Sequence, residues 1–127
     1  MTWLDRRVAH PGPYLALCLS EAEFRSTLKR LKAPQVPRWV NTHADATMHT
    51  FEHADHGICC VVCLAPPGER GPVEVAGLLI HEAVHVWQHY CGNIGEHTPG
   101  AEQEAYAIQA IAQELLAEYA RRLKDPE

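Results

Sequence analysis

The 127-residue sequence predicts an α+β domain in which a short N-terminal helix and a small β-hairpin precede two longer helices. Three observations support this: a capping box at Ser20, two β-rich segments between residues 47 and 64, and two apolar helical patterns after residue 72. With 46% hydrophobic and 21% charged residues, the whole chain, 1–127, fits a single domain with one core.

The first predicted helix starts after Ser20 and runs to about Lys32. Ser20 and Glu23 have the spacing of a capping box, in which each side chain satisfies a free backbone N–H group of the first turn. Two prolines shortly after the helix end it, and residues 39–40 are expected to begin a strand. Residues 1–19 show no clear period.

A β-hairpin is predicted over residues 47–64. Segment 47–53 alternates in polarity, segment 57–64 is an apolar, β-rich run, and residues 54–57 between them are typical of a turn. Cys60 and Cys63 would face opposite sides of the second strand. We therefore interpret the cysteines of this run as buried small hydrophobic residues and not as a second metal site.

Two helices are predicted in the C-terminal half. The first covers residues 72–91, with Pro72 in its first turn and Gly92 expected to end it. At 1.5 Å per residue it is about 30 Å long, enough to cross a small domain. After a loop at residues 92–100, apolar residues recur at steps of three and four up to about Arg122, which predicts the final helix.

Charge and apolar patterning exclude several classes of partner. The formal net charge of -5 argues against nucleic acid and against an anionic membrane surface as partners. Both are negatively charged and are bound by proteins that present a cationic face. No apolar run is long enough to span a bilayer, and the N-terminus lacks the pattern of a signal peptide. The five cysteines do not have the spacing of a secreted disulfide framework, which favours a cytoplasmic location.

The segment AGLLIHEAVHVWQHY, residues 76–90, carries the candidate chemistry. His81 and His85 are four residues apart and therefore lie on one face of the predicted helix, with Glu82 beside them. In this HExxH pattern two imidazole nitrogens bind zinc at about 2.1 Å, and the glutamate removes a proton from a metal-bound water. The pattern predicts Zn2+ as cofactor, His81 and His85 as metal ligands and Glu82 as the catalytic base.

A third metal ligand is expected outside this helix. His89 lies about 12 Å along the helix axis from His81, too far for one zinc ion to bind both, and we expect it to be solvated or at the edge of the core. The final helix offers Glu102 and Glu104, which point to different faces. Because Glu104 lies closer to the apolar stripe on a helical wheel, the residues alone leave both carboxylates open as ligands.

HExxH followed in the next helix by E-x-x-A resembles the zincin metallopeptidases of the gluzincin type. That resemblance implies Glu102 as the third ligand of a His-His-Glu site, with water in the fourth position. It also implies Ala105 as the small residue where the helices approach each other, and Ile108 as a core residue. The family usually has Asp or Asn where this chain has Tyr106.

HEAVHVWQ with EAYAIQ is also similar to small metallopeptidase-like proteins of tailed phages and prophages, over about residues 45–120. This likeness implies a minimal zincin-like domain, with the host cytoplasm as its compartment if a phage encodes it. In zincins an edge strand holds the substrate backbone by strand addition, a role that would fall to one strand of the 47–64 hairpin.

Two functions follow from these patterns. The first is a zinc-dependent peptidase that hydrolyses a peptide or protein substrate with Glu82 as general base. Candidates for stabilising the oxyanion are Tyr90, Tyr106, His89 and His97. The alternative is a non-catalytic, zinc-stabilised module with a structural or assembly role. Glu82 favours the enzyme, because a purely structural site gains nothing from a general base.

Overall fold

The computed structural model describes residues 13–41, 44–53 and 57–125 of the chain. Within these residues, three strands and three helices follow one another in the order β1, α1, β2, β3, α2, α3. Their bounds are β1 Tyr14–Cys18, α1 Glu21–Arg30, β2 Ala46–His53, β3 Gly57–Leu64, α2 Pro72–Ile94 and α3 Ala101–Lys124. The predicted α+β class is confirmed.

The three strands form one sheet in the order β1-β3-β2. β2 and β3 make the predicted antiparallel hairpin, in which Met48 lies opposite Val62. β1 pairs with β3 in parallel, and Cys18 lies opposite Cys63. β3 is therefore the central strand, which explains its continuous apolar sequence, and β2 is an edge strand of the described sheet.

Helices cover both faces of this sheet. α1 packs Phe24 and Leu28 against the face that carries Val61 and Cys63. α2 and α3 cover the opposite face, which carries Cys60, Val62 and Leu64. Because side chains alternate along a strand, Cys60 and Cys63 lie on opposite faces as predicted, and all five cysteines are buried free thiols.

α1 begins as the sequence predicts and is fixed to the end of α3. Ser20 Oγ accepts a hydrogen bond from the Glu23 backbone N–H at 3.1 Å. The Glu23 carboxylate accepts from the backbone N–H of Leu19 at 3.1 Å and also pairs with both terminal nitrogens of Arg122, at 3.1 and 2.5 Å. This two-bond ion pair ties the first helix to the last.

α2 and α3 pack against each other in antiparallel directions. The early part of α2 and the late part of α3 share one apolar cluster, whose buried members include Leu79, Ala83, Ala112 and Leu115. The late part of α2 packs Trp87 and Tyr90 against Ala107 and Ile108, near the start of α3. Among the described helices, none has the length and apolarity needed to cross a membrane.

Three local expectations differ from the structure. α2 continues through Gly92 to Ile94, and Gly95 ends it with a left-handed φ of 76°, a conformation that glycine adopts without a steric penalty. Residues 39–40 form no strand; Trp39 and Val40 instead pack against the α1 cluster. β1 lies in a stretch for which no element was predicted, because its sequence YLALC is apolar without a period.

Candidate metal centre

His81 and His85 lie one turn apart on α2 and their side chains converge. The two Nε2 atoms are 3.1 Å apart, and the ring centroids are 4.8 Å apart. Two nitrogen ligands on one tetrahedral zinc ion, each at about 2.1 Å, are separated by about 3.4 Å. The pair therefore has nearly the spacing that a shared cation requires, and without a cation the same distance suits a single N–H···N hydrogen bond.

Gln88, one turn beyond His85, bonds the other nitrogen of that ring. His85 Nδ1 lies 3.0 Å from Gln88 Oε1. Since an amide oxygen only accepts hydrogen bonds, this contact favours the tautomer with the proton on Nδ1 and the lone pair on Nε2. This contact directs the Nε2 lone pair of His85 towards His81, in the way that outer partners of metal-binding histidines do.

Glu82 is nearly buried, with 6% of its surface exposed. Burial raises the pKa of its carboxyl group, while the nearby His85, His81 and His49 lower it by a smaller amount. A carboxylate with a raised pKa is a stronger base at neutral pH than an exposed one. α2 therefore presents two convergent imidazoles and a desolvated carboxylate within two consecutive turns.

The two candidate carboxylates of α3 occupy different environments. Glu102 is exposed, whereas Glu104 is half-buried and accepts a hydrogen bond from Trp87 Nε1 at 2.9 Å. Trp87 belongs to the α2 face that packs on α3, so Glu104 is directed into the contact between the two helices. Within the part of the chain that the structure describes, no three His, Cys, Asp or Glu side chains form a group that could hold a metal.

The structure thus places His81 and His85 in contact, with Glu82 near enough for both rings to lower its pKa, and it does not bring Glu102 into a group with them. Ala105, expected at the approach of the helices, is exposed, and Ala107 lies at the contact in its place. Ile108 packs in this contact as expected. α3 is rotated relative to the register that the E-x-x-A pattern implies, because its larger apolar residues face α2.

The four residues considered for oxyanion stabilisation lie in different places. Tyr106 is 67% exposed on α3, and His97 is exposed in the loop before that helix. Tyr90 is buried, with its ring stacked on Trp87 at a centroid distance of 5.9 Å, on the side of α3. His89 is exposed, as predicted, and lies with Gln88 beside β2.

Two side-chain contacts of α2 were not predicted. Gln88 follows His85 by three residues, a spacing that places both on one face of a helix, so its role could have been inferred from helical periodicity. The contact between Trp87 and Glu104 joins two helices, and nothing in the local sequence indicates it. No protein-family model, curated protein sequence or solved structure matches this chain.

Proposed function

We propose that this chain is a zinc-dependent peptidase with a minimal zincin-like fold. The observation that carries the proposal is the approach of His81 Nε2 and His85 Nε2 to 3.1 Å, one turn apart, beside the buried Glu82. This distance is close to the separation of two nitrogen ligands on one tetrahedral zinc ion. The hydrogen bond from His85 Nδ1 to Gln88 supports it further, because it leaves Nε2 free to bind an ion.

The residues of α2 divide the chemistry among them. His81 and His85 would hold the zinc ion, which when bound lowers the pKa of a water and polarises a carbonyl group. Glu82 accepts the proton of the attacking water and donates it to the leaving amine. Its raised pKa suits both steps, since the group must bind a proton and release it near neutral pH.

The peptide substrate is proposed to lie along β2. This strand is an edge of the described sheet and packs beside α2, so its outer side can pair with an extended chain. Such pairing would fix the substrate backbone next to His85. Main-chain hydrogen bonds would then supply affinity that does not depend on the substrate sequence.

We propose Glu102 as the third zinc ligand, and the E-x-x-A pattern is the only support for this choice. Glu102→Ala is expected to abolish zinc binding, whereas Glu104→Ala is expected to keep zinc and to lower stability by about 1.5–3 kcal/mol, because it removes a hydrogen bond between Trp87 and a charged group. Zinc titration and urea unfolding of both variants measure the two effects. Loss of zinc only in Glu104→Ala would transfer the ligand role to Glu104.

The direct test of catalysis is Glu82→Gln. Glutamine is nearly isosteric but cannot accept the proton, so we expect at least about a hundredfold loss of activity on a broad peptide library, with zinc content and fold retained. Glu114→Gln, which makes the same charge change at an exposed position of α3, is the matched control and should keep activity. Equal activity in wild type and Glu82→Gln would assign the cleavage to another base or to a contaminant.

The alternative is a non-catalytic module stabilised by metal. Glu102 is exposed and does not join the two histidines, so the described residues supply two imidazole ligands, fewer than the four protein ligands of a structural zinc site. The library assay separates the candidates. A wild-type protein that is fully loaded with zinc and cleaves no peptide would support the module.

A further inference from the structure

Two recesses lie along the groove between the edge strand β2 and the helix α2. The N-terminal recess, of about 440 Å³, is bounded by Asp45, Arg70 and Glu74 and reaches His81 and Glu82. The C-terminal recess, of about 490 Å³, has Glu52 on β2 and Gln88 and His89 on α2. Each recess therefore combines residues from both walls of the groove, and His85 lies between them on α2.

The separation of the recesses matches a short extended peptide. Their centres on α2 are near residues 78 and 90, about 18 Å apart at 1.5 Å per residue. On the strand side they are near residue 45, just before β2, and residue 51, about 20 Å apart at 3.4 Å per residue. A peptide of about six residues that lies along β2 would reach both recesses, with the histidine pair near its middle.

The N-terminal recess has an excess of carboxylates. Asp45 and Arg70 form an ion pair and balance each other. Glu74 is exposed and forms no ion pair with another residue that lines the recess, whereas Glu82 faces the histidines that lower its pKa. An exposed carboxylate that is not balanced by a neighbouring charge favours a positively charged occupant through Coulomb attraction.

The C-terminal recess carries the same sign of charge. Glu52 is its carboxylate, and no lysine or arginine is among the described residues that line it. The half-buried apolar side chains of Ile58 in this recess and Leu78 in the other can pack against the aliphatic stem of a lysine or arginine. A basic side chain thus finds both an apolar wall and a carboxylate in each recess.

We infer that the groove between β2 and α2 selects polypeptides with basic side chains on both sides of the peptide bond that lies next to the histidine pair. This inference rests on the proposed peptidase function and names its substrate class. Glu74 and Glu52 are the specificity-determining residues of the N-terminal and C-terminal recesses. The net charge of the chain, -5, attracts the same class of polypeptide from a distance.

Binding of three labelled decapeptides tests the inference: alternating Lys-Ala, alternating Glu-Ala and alternating norleucine-Ala, which present each side chain in every register. The protein is the zinc-incubated Glu82→Gln variant, in which cleavage is suppressed, and fluorescence anisotropy reports affinity. We expect the Lys-Ala peptide to bind at least about tenfold more tightly than the Glu-Ala peptide at low salt, with the preference reduced at high salt.

Single substitutions show which residues of the groove cause the preference for the Lys-Ala peptide. Adding Glu52→Gln or Glu74→Gln should weaken binding of the Lys-Ala peptide about threefold each, the scale of one exposed ion pair, and Glu114→Gln on α3 should leave it unchanged. The glutamine in Glu74→Gln can still accept from the Gly71 N–H, as Glu74 does at 3.4 Å, so the start of α2 is kept. An equal loss in all three variants would overturn the inference, since the effect would then be one of net charge.

The two proposals fail separately. If the wild type cleaves the norleucine-Ala and Glu-Ala peptides as well as the Lys-Ala peptide, the charge preference is wrong and the peptidase stands. If the Lys-Ala peptide binds with the expected dependence on Glu52 and Glu74 but no peptide is cleaved, the groove preference stands and the peptidase proposal is wrong. Preferred binding of the Glu-Ala peptide contradicts the inference directly.

Discussion

α2 has two faces of opposite character. On the face towards the sheet and α3, Leu79, Ala83 and Val86 are fully buried and contact apolar residues of both neighbours. On the face towards the groove, His81 is exposed, and the positions of its ring and that of His85 depend on hydrogen bonds made within α2. Apolar packing fixes the side-chain positions on the first face, whereas specific hydrogen bonds fix them on the second.

Glu82 lies at the border between the two faces and shows what the second face requires. Its carboxylate is nearly as buried as the apolar residues beside it, and burial raises its pKa. A leucine or methionine at this position would not carry that desolvation penalty. The difference between the faces is therefore one between residues whose burial stabilises the fold and a residue whose burial opposes its charged form.

The largest effect that separates the two faces is expected from Leu79→Ala. Leu79 is fully buried between the sheet and α3, so its truncation should lower the free energy of unfolding by about 2–5 kcal/mol. His81→Ala, two residues away on the exposed face, should change it by less than about 0.5 kcal/mol in zinc-free protein. Urea unfolding with a chelator present measures both, and similar losses would contradict the distinction between the faces.

A smaller effect is expected on zinc affinity from Gln88→Leu. The leucine cannot accept the His85 Nδ1–H, so the ring loses its fixed orientation, and affinity should fall about tenfold to a hundredfold. Gln88→Glu keeps an acceptor at the same place and should preserve binding or strengthen it. Competition with a zinc-chelating dye gives the affinities. Unchanged binding in Gln88→Leu would show that the contact has no positioning role.

The smallest effect is expected from Glu82→Gln on the stability of zinc-free protein. A folded-state pKa above the unfolded value of about 4.3 means that burial disfavours the charged carboxylate. The penalty is absent below that pH, where both states are protonated, and it grows as the pH rises through the folded pKa. The variant should therefore be more stable than wild type by about 0.5–2 kcal/mol at pH 7 and equal to it near pH 4. Thermal unfolding across this range checks the sign, and a variant less stable at pH 7 would refute it.

The parts of the fold set by local sequence were predictable. Ser20 begins α1, β2 and β3 pair as a hairpin, and the i,i+4 spacing places His81 and His85 side by side on a helix. The hairpin itself was predicted, whereas its register and the central position of β3 are known only from the structure. In each case the interactions that decide the structure lie within a few residues of one another.

The parts set by distant contacts were not predictable in the same way. β1 exists because YLALC finds β3, more than 40 residues away, and pairs with it in parallel. The rotation of α3 is decided by the sum of its contacts with α2, including the bond from Trp87 to Glu104, and not by the E-x-x-A pattern. Which glutamate of α3 faces which part of α2 is therefore a property of packing.

Zinc binding by the histidine pair tests the central claim most directly. Isothermal titration of zinc into the metal-free chain should give about one ion per chain for wild type and for His89→Ala, and none of comparable affinity for His85→Ala. His89 is the matched control because it is exposed, lies on the same helix one turn further and is not bonded to His81. Equal binding by His85→Ala and wild type, or no binding by wild type, would contradict the assignment of His81 and His85 as metal ligands.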